Sequence, residues 1–204
     1  MSEKVWVCPT DLIKKSFGNL KSFNEIKFVD LKQIFENSYF KNREDVENDE
    51  TLRQLIPYVV FQKETGEILV VKRTKNQSEK RLHDKISVGI GGHINPVDEE
   101  EYSAEMTFFN GLNREINEEL IINKLNKLEY IGIIYDSSNP VSRVHMGILF
   151  LAKVNDAEIN EKENFESDWM LPSEIVKLDT TKMEDWTKVS LKALEVPIVG
   201  KNEN

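Results

Sequence analysis

The sequence predicts an α/β fold from three observations. Residues 57–61 and 68–71 are short β-branched runs separated by a Thr-Gly turn, a pattern that is typical of a β-hairpin. Residues 114–120 have apolar and acidic side chains at helical spacing, and they follow a glycine pair. Residues 128–136 and 144–154 are predicted to be further strands. Strands and helices that alternate in this way indicate a mixed α/β domain.

Composition predicts a soluble globular protein made of one domain with an appendage or of two small domains. The chain has 204 residues, of which 39% are hydrophobic and 31% are charged, as in ordinary globular proteins. Its net charge of −9 argues against a nucleic-acid polymer as partner. No apolar run reaches the roughly 18 residues of a membrane helix, and no signal-peptide pattern is present. The single cysteine, Cys8, suits a reducing cytoplasm and is predicted to pack in the core rather than act as a nucleophile.

Residues 1–55 are predicted to form an N-terminal extension, and residues 56–200 are predicted to form the main domain. A first helix is expected to end at Gly18, and a second helix is predicted over residues 29–37. Residues 41–50 are highly charged and are predicted to be a surface loop or a short helix. We expect the extension to cover one face of the core, with a partner surface or a substrate lid as alternatives.

An acidic helix is predicted after the glycine pair Gly91-Gly92. Positions three and four apart on a helix share a face, so Glu115, Glu118 and Glu119 project together. These carboxylates repel one another unless a hard cation lies among them, and Mg²⁺ prefers such oxygen ligands. Glycine lets the backbone approach an ion closely, so the carbonyl of Gly91 is a candidate for a further ligand. Without the glycine pair, such a run would most often be a solvated helix face.

These residues resemble the signature of the Nudix hydrolases, in which a glycine and a glutamate precede Arg-Glu-apolar-x-Glu-Glu-x-Gly. Gly92 matches the opening glycine, and residues 114–119 match the second half without a mismatch. There are three departures. Asp98 replaces the first glutamate, about eight residues are inserted before Arg114 in a loop that tolerates length, and Ile121 replaces the last glycine. None of them removes the acidic patch.

The resemblance implies an α/β/α sandwich with a mixed sheet. It also implies metal-dependent hydrolysis of a diphosphate linkage in a nucleoside diphosphate joined to another group. Mg²⁺, with Mn²⁺ as an alternative, would be held by Glu115, Glu118 and Glu119. Glu115 and Glu118 are also candidates for catalytic carboxylates, and the identity of the general base stays open. Arg114, counted with this catalytic set, is expected to orient Glu115, so its loss should reduce activity less than the loss of Glu119.

Further contacts to metal and phosphate are expected outside the signature. The resemblance implies an additional metal-binding carboxylate shortly before Trp169, for which Glu163 is the first candidate and Glu166 is the second. Arg73 and Arg81 lie in the most cationic stretch of the chain, so they are candidates for contact with substrate phosphate.

His145 and Phe109 are the remaining candidates for substrate contact. His145 lies on a predicted strand, where an isolated histidine more often has a structural role. Phe109 lies in the insertion together with Met106 and Phe108, and all three side chains are expected to require burial. The insertion is predicted either to form a wall or movable lid of the substrate pocket or to pack against the N-terminal extension.

The expected partner is a small nucleoside diphosphate derivative, and a homodimer is left open because many Nudix proteins pair. The main alternative to an enzyme is a non-catalytic Nudix-like module that senses a nucleotide, although such a module has no evident need for three repelling acids. An isoprenoid diphosphate isomerase shares the fold but uses a cysteine near the metal, and Cys8 lies far from the signature in sequence. The leaving group cannot be predicted, because loops and appended segments decide it.

Overall fold

The computed structural model describes residues 2–73, 85–160 and 165–198. The chain divides into two compact units. The first unit consists of Met1–Tyr58, Gly91–Ile116 and Tyr130–Phe150. The second unit consists of Val59–Ile90, Asn117–Glu129 and Leu151–Asn204.

The described residues form ten strands and six α-helices. The strands are β1 (Lys4–Pro9), β2 (Phe23–Asn24), β3 (Tyr39–Asn42), β4 (Leu52–Lys63), β5 (Ile68–Arg73), β6 (Ile86–Ser87), β7 (Gly89–Gly91), β8 (Leu120–Ile134), β9 (His145–Ile159) and β10 (Phe165–Met170). The helices are α1 (Thr10–Phe17), α2 (Lys32–Glu36), α3 (Arg43–Val46), α4 (Ala104–Glu119), α5 (Pro172–Ile175) and α6 (Asp185–Ala193). Short 3-10 segments occupy Phe28–Leu31, Pro96–Asp98 and Ser142–Val144. The three long strands lie adjacent in the order β4, β9, β8.

In the first unit, the N-terminal residues extend the sheet. Strand β1 pairs antiparallel with β4, with Val7 opposite Gln54, and also with β3, with Val5 opposite Lys41. Strand β2 pairs antiparallel with β8. The sequence did not predict β3, because its four residues lie between a predicted helix and a charged stretch, and only its pairing with β1 makes it a strand. Strand β4 begins at Leu52 and therefore runs through the expected boundary between residues 55 and 56.

The N-terminal helices agree with the predicted pattern. Helix α1 ends at Gly18, whose φ of 72° is the left-handed conformation that glycine adopts readily.

Cys8 is fully buried, and burial raises the pKa of its thiol to about 11. The prediction that Cys8 packs in the core is therefore confirmed.

An aromatic cluster in the first unit decides where the insertion packs. The ring of Phe108 is fully buried and stacks on Phe35, with centroids 4.9 Å apart. The ring centroid of Phe109 lies 5.6 Å from that of Phe28. The side chains of this aromatic cluster are Phe28, Phe35, Phe108, Phe109, Tyr130 and Phe150. The arrangement favours packing against the N-terminal residues over the lid.

Met106 corrects one part of the sequence interpretation. This side chain is 49% exposed, so the expectation that it requires burial was wrong. Phe108 and Met106 are two positions apart on α4, and such residues face different sides of a helix.

In the second unit, strand β5 pairs antiparallel with both β6 and β10. The hairpin predicted between residues 57 and 71 is present, and Gly66 in its turn has a φ of 102°. The acidic stretch 155–168 contains the end of β9 and the start of β10. Strand β10 is the last strand in the sheet order, and several of its polar side chains are exposed. An edge strand of this kind has no apolar run to reveal it.

Candidate functional site

Helix α4 presents the acidic residues because its apolar residues recur at helical spacing. Phe108, Leu112 and Ile116 are buried and follow one another at intervals of four. When that apolar stripe faces the interior, Glu115 and Glu118 lie outside the stripe on the helix surface. The helix begins after Ser103, whose hydroxyl accepts a hydrogen bond from the amide of Met106 at 3.1 Å. The inserted residues therefore form a loop and then lengthen the helix at its N-terminus.

Arg114 is the centre of a polar network in the first unit. Its guanidinium donates to both carboxylate oxygens of Asp98, with Nε–Oδ1 at 2.8 Å and Nη2–Oδ2 at 2.9 Å. Nη2 also donates to the carbonyl of His93, and Nη1 donates to Oε1 of Glu115, both at 2.8 Å. The hydrogen bonds that Arg114 donates to Asp98 and Glu115 hold its pKa above the ordinary value. Arg114 thus makes the contact with Glu115 that the sequence predicted.

The glycine pair fits against this network at close range. A Cβ atom on Gly92 would lie 2.1 Å from Oε2 of Glu115, which no real contact allows. A Cβ atom on Gly91 would lie 2.0 Å from the carbonyl oxygen of Pro57. Any side chain at either position would displace the loop or the carboxylate. Glu115 is therefore held between the Arg114 guanidinium and the backbone of the glycine loop.

The loop after the glycine pair is fastened to the N-terminal strand. The amide of Trp6 donates to the carbonyl of Ile94 at 3.0 Å. The side-chain amide of Asn95 donates to the carbonyl of Lys4 at 2.8 Å, while its oxygen accepts from Arg114 at 3.1 Å. Asn95 therefore connects strand β1 directly to the residue that holds Glu115.

His93 and His145 form a pair beside the glycine loop. Their Nε2 atoms are 3.4 Å apart, and Nδ1 of His145 lies 2.7 Å from the carbonyl oxygen of Val141. A carbonyl only accepts, so Nδ1 of His145 carries its proton, and Nε2 of His93 donates to Nε2 of His145 when both rings are neutral. Burial is the main reason that the pKa of His93 falls to about 3 and that the pKa of His145 is also lowered. Both ring nitrogens of His145 thus contact protein groups, which favours the structural role over substrate contact.

Asn160 holds the C-terminal end of α4 in the second unit. Its side-chain amide donates to the carbonyls of Asn117 at 3.1 Å and Glu118 at 3.0 Å. Its backbone amide donates to the carbonyl of Glu119 at 2.8 Å. Sequence reasoning missed this residue because it is 41 positions away from Glu119 and belongs to no motif.

Comparison with known proteins identifies the family of this chain. A model of the NUDIX domain matches residues 52–192, which is more than half of the chain. The chain belongs to the Nudix family. The predicted fold is confirmed as a mixed α/β Nudix fold with a mixed sheet, and its N-terminal strand region precedes the residues that the family model matches.

Two relatives of this Nudix protein are similar over almost their whole length. Protein YmaB of Bacillus subtilis (strain 168) is 33% identical over 206 residues, which cover 96% of this chain and 98% of that protein. The crystal structure of Tm1382, assigned as a Nudix hydrolase, has a TM-score of 0.83 at 35% identity and covers 94% of this chain and 98% of Tm1382. Homology therefore supports a hydrolase, and it identifies no substrate.

A third structure shares the Nudix fold alone. The NUDIX domain of Shewanella oneidensis NrtR, solved in complex with ADP ribose, has a TM-score of 0.51 at 13% identity. The match covers 70% of this chain and 86% of that domain.

The carboxylates of the Nudix helix fit a hard divalent cation by their chemistry. Glu115, Glu118 and Glu119 are carried by one helix, α4, and their carboxylates offer only oxygen donors. Within residues 2–73, 85–160 and 165–198, no three His, Cys, Asp or Glu side chains already converge on one point. Like charges on one helix repel each other, and a cation among them would offset that repulsion.

The remaining predicted residues make other contacts or lie outside the described residues. Arg81 and Glu163 lie outside the described residues, and the side chain of Arg73, at the end of β5, also lies outside them. Glu166 is on β10, where its carboxylate pairs with Lys72 at 3.2 Å. Phe109 belongs to the aromatic cluster.

Gly111 and Asn95 were not identified from the sequence. A Cβ atom on Gly111 would lie 2.8 Å from the side chain of Ile94, so glycine allows α4 to approach the loop closely. The signal that could have found both residues is their position beside the two halves of the signature.

As for membranes, every helix in the described part of the chain is too short or too polar to cross one.

Proposed function

We propose that this Nudix protein hydrolyses a diphosphate linkage in a small nucleoside diphosphate derivative, with Mg²⁺ as its cation and Mn²⁺ as an alternative. The observation that carries the proposal is the placement of Glu115. Its carboxylate lies between the Arg114 guanidinium and the backbone of Gly92, on the helix that also carries Glu118 and Glu119. A side chain that only solvates a helix surface needs neither an arginine partner nor a glycine beside it.

The cation would be held by Glu115, Glu118 and Glu119, with the Gly91 carbonyl as a further ligand. Glu163 stays a candidate for an additional carboxylate. Nudix proteins typically use divalent metals. When bound, the cation neutralises the diphosphate charge and makes a water molecule more acidic.

Side chains of the protein would take up the proton, orient the carboxylate and bind the phosphates. A carboxylate of the helix, Glu115 or Glu118, takes a proton from the water that attacks phosphorus. The new phosphorus–oxygen bond forms as the bond to the bridging oxygen breaks, and the leaving phosphate keeps that electron pair. Arg114 shares its charge between Asp98 and Glu115, so it fixes the orientation of the Glu115 carboxylate before the reaction. Arg73 and Arg81 stay candidates for binding the phosphates.

The substrate class is supported by chemistry rather than by a pocket. Three acids near a cation suit a polyphosphate, and a net charge of −9 disfavours long nucleic acids. The ADP ribose complex belongs to the NrtR domain, which shares only the fold, and it makes ADP-ribose one member of the panel to be tested.

A hydrolysis panel tests the proposal. The panel contains ADP-ribose, dinucleoside polyphosphates, nucleotide sugars and oxidised nucleoside triphosphates, each with Mg²⁺ and with Mn²⁺, and mass spectrometry identifies the products. We expect Glu119→Gln to lower kcat/KM for the preferred substrate by at least about a hundredfold, because it removes a charged ligand. Glu105→Gln, an exposed acid in the first turn of the same helix, is the matched control and should retain full activity.

Two outcomes would contradict the enzyme. Full Mg²⁺-dependent activity of Glu119→Gln would exclude the proposed metal ligands. Tight nucleotide binding without any turnover across the panel would instead support the nucleotide-sensing module.

A further inference from the structure

The last turn of the acidic helix has an unusual means of support. The last four carbonyls of an α-helix have no partner within the helix. In α4 these belong to residues 116–119, and Asn160 donates hydrogen bonds to three of them. One residue from the end of strand β9 thus satisfies most of the helix terminus.

The need for this support follows from the departure at the end of the signature. A glycine after a helix usually adopts the left-handed conformation and lets the chain's own amides satisfy the terminal carbonyls. Here Ile121 occupies that place, and β8 begins at Leu120, immediately after the helix ends at Glu119. A chain that becomes extended at once cannot turn back to bond those carbonyls, so the donors come from elsewhere in the unit.

We propose that Asn160 is a positioning residue that holds the last turn of α4 so that Glu118 and Glu119 bind the cation together. The inference rests on the proposed function of these acids as metal ligands. Asn160 acts through the carbonyls of the same residues whose side chains carry the charge. Fraying of this turn would separate the two carboxylates and weaken their joint hold on a cation.

The chemistry of an amide suits this position. Asparagine supplies two side-chain N–H donors without a charge. A lysine or arginine would also satisfy the carbonyls, but its cationic group would pair with Glu118 or Glu119 and compete with the metal. An aspartate would place acceptor oxygens against acceptor carbonyls.

Mn²⁺ binding in the absence of substrate provides the test. Calorimetry on the full chain should show about three- to tenfold weaker Mn²⁺ binding for Asn160→Ala, which loses two hydrogen bonds but keeps the backbone donor. Amide hydrogen exchange at Glu118 and Glu119 should be faster in the same variant, because the last turn frays more often. The matched control is Asn126→Ala, an exposed asparagine in the second unit whose side chain bonds to Glu64 and Asn155. It should leave both readouts unchanged.

The outcomes separate a positioning role from a merely structural one. A lower melting temperature with wild-type Mn²⁺ affinity, measured well below that temperature, would overturn the proposal. If the wild-type protein bound no Mn²⁺, the proposed function would fail on its own. Unchanged exchange at Glu118 and Glu119 would then overturn the role of Asn160 as well, whereas faster exchange would support its hold on the turn.

Discussion

Arg114 pairs with two carboxylates, those of Asp98 and Glu115, and this shared pairing decides how the Glu115 carboxylate is oriented. The Asp98 side chain is only 3% exposed and that of Glu115 only 13%. Breaking such a pair leaves a poorly hydrated charge without a partner, which costs more than the intact pair contributes. The arginine therefore has a role in stability and a role in orientation, and substitution can separate the two.

Arg114→Lys should lower kcat/KM by about ten- to a hundredfold, because lysine keeps the charge but cannot bond Asp98 through two parallel donors. The loss should be smaller than that of Glu119→Gln. Steady-state kinetics and thermal unfolding of both variants check this. Arg143→Lys is the control, since Arg143 pairs with Glu50 at 2.7 Å on the surface. Wild-type activity in Arg114→Lys, or a larger loss than in Glu119→Gln, would contradict the assignment.

The histidine pair should make the fold sensitive to acid. The pKa of His93 is lowered from 6.5 to about 3 in the folded protein, so the unfolded chain binds this proton first. The associated stability is therefore present above pH 6.5 and is lost as the pH falls towards 3. For one proton the unfolding constant rises by up to about tenfold per pH unit in that window.

Urea unfolding at pH 7.5 and pH 5.0 measures this effect. His93→Gln keeps a side-chain N–H that can donate to His145, but it removes the titrating group. The variant should therefore lose less stability than the wild-type protein between the two pH values. An identical pH dependence of both proteins would show that folding does not lower the pKa of His93.

At the scale of elements, helix α4 is fastened at both ends of its acidic segment. At one end the loop with Asn95 joins it to strand β1, and at the other end Asn160 satisfies its terminal carbonyls. The inserted residues lengthen its N-terminus, where Phe108 joins the aromatic cluster. The helix is thus positioned by parts of the chain that lie outside the signature.

Phe108→Ala should cost about 3–5 kcal/mol in the free energy of unfolding, because it removes a fully buried ring stacked on Phe35. The KM of the folded fraction should remain normal. Tyr102→Ala is the matched control in the same insertion, since Tyr102 is 86% exposed. Chemical denaturation and steady-state kinetics give the two quantities. A raised KM with an unchanged melting temperature would restore the lid interpretation of the insertion.

At the scale of the whole molecule, the family match and the packing have different boundaries. The NUDIX model begins at residue 52, whereas the first unit includes the chain from its N-terminus. Trp6 and Phe35, both nearly fully buried, belong to the residues before the match. Strand β1 also pairs with the start of β4. The N-terminal residues therefore contribute core and sheet partners.

A chain that begins at Leu52 should fail to fold cooperatively, because it would expose the faces that Trp6 and Phe35 cover and would leave the start of β4 without strand β1. Circular dichroism during thermal unfolding and limited proteolysis are the measurements. A chain that begins at Glu3 is the control and should unfold like the full-length protein. A cooperative transition near the wild-type melting temperature in the shorter chain would contradict the prediction.

Local patterns were sufficient for most of the elements and for placing the three acids on one helix. The spacing of Glu115, Glu118 and Glu119 and the glycine pair are properties of neighbouring positions, and helix periodicity converts them into a shared face. Helix α1 and the hairpin were predicted for the same reason. Strands β3 and β10 were missed because both are short edge strands, whose existence depends on a distant partner.

Only the tertiary structure decided which distant groups support those acids. His93 meets His145 across 52 positions, Asn95 meets Lys4 across 91 positions, and Asn160 meets Glu118 across 42 positions. Hydrogen bonds of this range have no period and no fixed spacing in a sequence, since they depend on where whole strands are placed. The same holds for the insertion, whose aromatic residues were bound to be buried somewhere. Their apolar area required burial, but only the packing of the chain determines that Phe35 covers them.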